Sequence, residues 1–268
     1  MEKLFKVVYE DDELLVINKP AGLVCHPTKT DGYSSLISRA RLYLGAGSHP
    51  QLVNRLDRET SGVTLVAKRE DAARELRRIW ENRLVEKEYV AVAHGHALES
   101  HGIIDAPLGK DEQSRVAIKD CVRADGASAR TEYWVMERMS IEAGSRWPEA
   151  GNQAAAEQQS PIAGCWLPAT ILRVQPHTGR KHQIRIHLAH IGHPIVGDKI
   201  YGGDETLYLA FVESRLTAEQ QQRLILPNHA LHAREVRFPW RGERTVFRAE
   251  PGEGFPCICH LSDSFTTT

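Results

Sequence analysis

Asp57 is the residue on which any chemistry of this chain has to be built. It stands between two arginines in the run Asn54-Arg55-Leu56-Asp57-Arg58, with Glu59 and a Thr60-Ser61-Gly62 turn after it. A carboxylate beside fixed cations favours its charged form and so stays available as a nucleophile. Flanking guanidiniums also suit a site that grips a nucleotide. The plainer reading of such an Asp is a helix N-cap or a solvated surface residue. Hydrolysis of a glycosidic bond wants two carboxylates in apposition. Only Glu59 lies close by.

A second group of chemistry-bearing residues lies between Glu157 and Asp198, an interval without Asp or Glu. It carries Arg173, Arg180, Lys181 and Arg185, together with His177, His182, His187, His190 and His193. Residues three apart on a helix share a face, so a metal-dependent hydrolase built on His182 to His193 is a rival reading. Neither a His-Glu-x-x-His motif nor a nearby acid completes such a site, and no metal is expected. Cys257-x-Cys259-His260 lacks a second ligand pair. The interval can instead supply a local basic stripe in a chain whose formal net charge is -1.

The wording around Asp57 resembles the nucleophile motif of the RluA-type pseudouridine synthases, His-Arg-Leu-Asp-x-x-Thr-Ser-Gly, with Asn54 where that family usually has His. Other stretches resemble the same family in the same order. They are Leu15-Val16-Ile17-Asn18-Lys19-Pro20-Ala21-Gly22, Lys87-Glu88-Tyr89-Val90-Ala91 and Thr178-Gly179-Arg180-Lys181-His182-Gln183-Ile184-Arg185-Ile186-His187. Gly192-His193-Pro194-Ile195-Val196-Gly197-Asp198 and Leu231-His232-Ala233-Arg234-Glu235 complete the set.

The resemblance implies an α+β protein with the pseudouridine synthase fold, a mixed, largely antiparallel sheet with a central active-site cleft. It implies an isomerase, an RNA pseudouridine synthase that converts specific uridines in structured RNA, ribosomal or transfer, to pseudouridine. The bond at nitrogen 1 of the base is exchanged for one at carbon 5, with no redox step and no group donor, so no cofactor is expected. In this reading Asp57 acts covalently on the nucleotide or assists glycosidic cleavage. Arg185 pairs with Asp57, and Tyr89 stacks on the base and takes part in the final proton transfer. Substrate contacts are expected from Arg55, Arg58 and Asn54, and from Arg180, His182 and Gln183. The base has to leave its stack to be reached, so a loop or bulge is the expected target. The small N-terminal RNA-binding domain of many relatives is not expected ahead of the opening motif, which would leave target selection to the catalytic domain and its loops. A non-catalytic RNA-binding or chaperone protein on the same fold is the other reading.

The elements that must position these residues follow from hydrophobic pattern. Val7-Val8-Tyr9 and Leu14-Leu15-Val16-Ile17 read as a hairpin, with Lys19 either an exposed strand end or part of the site rim. A short helix is expected over Ser34 to Leu44, and a strand over Val63 to Ala67. Ala72, Leu76, Ile79 and Trp80 share one face of a helix over Asp71 to Asn82. Tyr89 to Ala93 reads as a strand buried on both faces, which makes Tyr89 either a core ring or a site ring. Gly102 to Ala127 is β-rich, and Thr131 to Val135 and Leu167 to Val174 are strand-like. Gly179 onward opens a helix with Ile184, Leu188 and Ile191 inward; mid-helix Arg185 is on this pattern a surface residue with an extended stem.

A chain of 268 residues with 41% hydrophobic and 26% charged residues can bury a sizeable core. We expect a single catalytic domain over residues 1–268, with a flexible polar insertion at about 140–164 and a loose tail after about 251. No run approaches the ~20 apolar residues of a membrane span. The few scattered cysteines fit a reducing cytoplasm. Structured RNA is the expected partner, without membrane contact, and a monomer is the expected state.

Overall fold

A computed structural model describes residues 5–27, 35–142, 166–252 and 255–256. The chain divides into two compact units, Met1–Val90 with Leu231–Thr268, and Ala91–Ala230.

The first unit is built on a strand with no polar face. β1 (Lys6–Glu10) and β2 (Leu14–Lys19) form the expected antiparallel hairpin. Its turn is closed by Asp11, whose carboxylate accepts the Glu13 and Leu14 amides at 2.8 and 2.6 Å. The run Leu14 to Ile17 of β2 is buried on both faces because each face meets a helix. Leu14 and Val16 pack with Ala72, Ala73, Leu76 and Ile79 of α2 (Glu70–Glu81). Leu15 and Ile17 pack with Leu36, Ile37 and Ala40 of α1 (Leu36–Leu44), which Ser35 caps. Next to β2 runs β4 (Ser61–Ala67), which also pairs with the short β3 (Gln51–Leu52). The Ser61 and Gly62 expected in a turn are the first residues of this strand. They are drawn out by a parallel pairing with β11 (Leu231–Trp240), His232 to Ser61 and Ala233 to Gly62.

β11 turns back into β12 (Glu243–Arg248) through Arg241 and Gly242, both at positive φ, as a two-residue hairpin of the right twist requires. On the other side of β11 lie the first residues of β5 (Glu86–His94), so the order in this unit is β1-β2-β4-β11-β5.

In the second unit the strand order continues from the last residues of β5 as β5-β10-β9-β6. Here β6 is His101–Asp105, β9 is Arg130–Glu142 and β10 is Trp166–Pro176, paired antiparallel. The expected insertion begins inside β9, whose last residues pair Glu142 with Trp166; the rest of it, and most of the expected tail, lie outside the described residues. A small hairpin of β7 (Leu108–Lys110) and β8 (Asp120–Val122) accompanies α3 (Gln183–His190). Leu108, Val116, Ala129, Ile186, Ile200 and Tyr201 form one cluster there. α3 is buried from Gln183 through Leu188, on all sides rather than along one stripe, and starts four residues later than expected. α4 (Thr206–Val212) and α5 (Ala218–Leu224) follow. Among the described residues no helix is long and apolar enough to cross a membrane.

Candidate active site

The loop between β3 and β4 carries Asp57, and nearly every residue around it is tied down. At its neck Asn54 behaves like a residue of a strand. Its side-chain nitrogen donates to the Val63 carbonyl at 3.2 Å and its oxygen accepts the Leu65 amide at 2.7 Å. Asn54 was expected to contact substrate or to shape the loop; its observed partners are the backbone of β4. Buried Leu56 meets the Cys25 sulfur through both its amide and its carbonyl, at 3.4 Å each. The Thr60 amide donates to the Asp57 carbonyl at 3.2 Å and closes a turn.

Lys19 holds the far side of that turn. It is fully buried, which removes the reading of an exposed strand end. Its ammonium donates to the carbonyls of Pro20, Leu23 and Arg58 at 2.9, 2.8 and 3.1 Å. Burial brings its pKa down to about 8, with Cys25 and the Asp57 carboxylate pulling the other way. The loop is therefore fastened to a cation directly after its carboxylate. Arg55 and Arg58 are exposed, and the Arg58 Nε donates to Gly22 at 3.2 Å.

Tyr89 sits on β5 in the same unit, half-buried. Burial raises its hydroxyl pKa well above the ordinary value, and the charge of Asp57 adds to the rise. Asp57 and Tyr89 are thus within electrostatic reach of each other. One further residue of this unit lies in a sequence motif without an assigned role. Buried His232 on β11 bonds Ser61 at 2.8 Å through Nδ1, four residues beyond Asp57.

The later motif lies in the second unit, where Arg185 is buried rather than a surface residue. Its Nε and a terminal nitrogen donate to the two oxygens of Asp198, at 2.6 and 2.8 Å, and its guanidinium lies 5.0 Å from the Tyr201 ring centre. Burial alone would raise the Asp198 carboxyl. The Arg185 charge and hydrogen bonds, with His229 and the Tyr201 amide at 3.0 Å, hold it far below the usual range.

Gln183 is held by four hydrogen bonds. Its oxygen accepts from Thr178 and the Arg180 amide, and its nitrogen donates to the Arg130 carbonyl and Thr131. All four positions of the amide are in use in building the turn. Arg180 donates to the Ser128 carbonyl at 3.1 Å. His182, in the left-handed region at φ 56°, bonds the Tyr201 hydroxyl at 2.9 Å.

Two further histidines of this stretch are parts of the scaffold. His187 is enclosed between Thr131 and the Ala106 carbonyl, and His193 bonds the His94 carbonyl. No group of three possible metal ligands occurs among the described residues.

Comparison with known proteins follows the same motifs. Residues 13–190 match the family described as RNA pseudouridylate synthase. An uncharacterized RNA pseudouridine synthase of Aquifex aeolicus is 33% identical over 94% of this chain and 71% of its own length. Ribosomal large subunit pseudouridine synthase D of Nitrosomonas europaea is 33% identical over 85% of this chain. That match spans 56% of the relative's length, less than two thirds of it. The dual-specificity RNA pseudouridine synthase RluA of Salmonella typhimurium is 34% identical over 76% of this chain and 80% of its own. Among solved structures, human RNA pseudouridylate synthase domain containing 1 superposes with a TM-score of 0.66 at 25% identity. It covers 92% of this chain and 83% of that one. The chain belongs to the RNA pseudouridylate synthase family.

Proposed function

We propose that this protein isomerises specific uridines in structured RNA, ribosomal or transfer, to pseudouridine, with Asp57 as the catalytic carboxylate. The observation that carries the reading is the Asp57 loop itself, fastened at Asn54, Leu56 and Arg58 and within electrostatic reach of Tyr89. A nucleophile held by its surroundings loses little freedom on meeting substrate, and a positioned group is worth orders of magnitude in rate. Tyr89 offers a ring for stacking and, kept protonated by burial, a hydroxyl that can give a proton. Arg185, held by Asp198, is proposed as a further catalytic residue, as the family resemblance implies. Arg55 and Arg58 are proposed to hold phosphate on either side of the carboxylate. The names of the relatives from Nitrosomonas europaea and Salmonella typhimurium support an RNA of the ribosome or a comparable structured RNA.

The test is to map pseudouridine across cellular RNA with and without this protein, and then to repeat the reaction on unmodified transcripts. Asp57→Asn should abolish product, a loss of at least about 10³-fold, while RNA affinity stays near the parent's. Sites that persist without the protein, or turnover by Asp57→Asn, would overturn the reading. RNA binding without any product would point to a binding protein on the same fold.

A further inference from the structure

We propose that His232 and Ser61 form a positioning pair that aims the Asp57 carboxylate, a role that rests on Asp57 being the catalytic group. His232 lies 171 residues from Ser61 in sequence, yet its Nδ1 is 2.8 Å from the Ser61 Oγ. Its other nitrogen, Nε2, is 2.7 Å from the Ala249 carbonyl oxygen. A carbonyl can only accept, so Nε2 carries the proton. In the neutral ring Nδ1 is then the acceptor, and the Ser61 hydroxyl has to donate to it. The ring is fully buried, and burial brings its pKa down to about 4 in spite of the Ala249 carbonyl and Glu250, with Arg234 acting in the same sense as burial. Phe255 closes the ring edge-on at 6.0 Å. Hydrogen bonding therefore runs one way, from Ser61 through His232 to Ala249, with a single tautomer throughout.

The place of this chain of bonds gives it its meaning. Ser61 directly follows the turn that Thr60 closes on Asp57. The backbones there are joined to β11 by only two residue pairs, His232 with Ser61 and Ala233 with Gly62. The side-chain bond falls on one of those pairs, where it fixes the direction in which β4 leaves the loop. β4 itself is held independently by its register with β2 from Leu14 to Lys19. Losing the Ser61 hydroxyl should therefore leave the strand in place and release only the loop end.

The experiment pairs kinetics with a spectroscopic readout. Ser61→Ala should lower kcat on unmodified RNA transcripts by about ten- to a hundredfold, with KM within about twofold of the parent's. His232→Gln, whose amide can donate to Ala249 and accept from Ser61, should keep most of the parent's rate. The double variant should be no slower than Ser61→Ala alone, because the two groups act as one unit. In uniformly labelled protein without RNA, the Asp57 side-chain carbon should titrate differently in Ser61→Ala. Unchanged titration, or a Ser61→Ala kcat within about twofold of the parent's, overturns the proposal. If the parent forms no pseudouridine, the catalytic reading fails on its own and the titration alone decides whether Ser61 and His232 aim the carboxylate.

Discussion

Lys19 and His232 are two buried basic side chains kept for opposite reasons. The Lys19 ammonium is buried with its charge, because three carbonyls and a nearby carboxylate compensate for lost water. His232 is buried without charge, because its two partners suit the neutral ring. Lys19→Met keeps the volume and removes the donor, leaving three carbonyls unmatched. We expect a loss of about 2–4 kcal/mol in denaturant unfolding, with turnover falling alongside. The His232 prediction concerns pH. Its folded pKa of about 4 lies below the ordinary value near 6.5, so only the unfolded chain takes up this proton between them. The stability tied to the neutral ring is complete above the unfolded value and is lost as pH falls towards 4. The loss has an upper bound on the order of 3 kcal/mol. His232→Gln should flatten that part of the stability curve, and an unchanged acid slope would contradict the assignment.

At the scale of elements, the two-pair contact of β4 with β11 is the most demanding joint. Gly62 has φ 118°, and a Cβ there would press on the Ala233 carbonyl and lie 2.6 Å from its nitrogen. Gly62→Ala should cost about 1–3 kcal/mol and reduce turnover more than its stability loss explains, because the strain falls on the strand end next to Asp57. Comparing urea midpoints with kcat for this variant and for a matched substitution on α2 tests the point. β2 and α2 show why the rest of the unit tolerates such a joint. The run Leu14 to Ile17 is buried between two helices, and that packing does not depend on the loop.

At the scale of the whole molecule, a formal net charge of -1 means that affinity for RNA must come from local cations. If Arg55, Arg58 and one or two others meet phosphate, binding should fall with salt at a log–log slope of about -2 to -3. A slope near zero, measured by titration at several salt concentrations, would remove phosphate contact from the reading. Across the molecule, what the sequence disclosed was what is local. The Asp57 motif, the hairpin of β1 and β2, the amphipathic α2 and the strand with Tyr89 all announce themselves within a dozen residues. The supports did not, since the partners of Lys19, His232 and Arg185 are set by the fold. That the Asn54 amide faces the backbone of β4 is likewise set by the fold. α4 and α5 are seven-residue helices too short to show a period. The Arg241-Gly242 turn before β12 lacks the Asn or Asp that usually marks such a hairpin.

The fastening of the loop on both flanks of Asp57 has a consequence for how a uridine is chosen. An arm braced before the encounter cannot swing out to meet its target, so the nucleic acid has to do the travelling. Nucleotides that already swivel freely pay little to reach a stationary carboxylate, whereas those locked in a stiff duplex are left behind. Selectivity would then reside as much in the suppleness of the RNA as in any letter of its sequence.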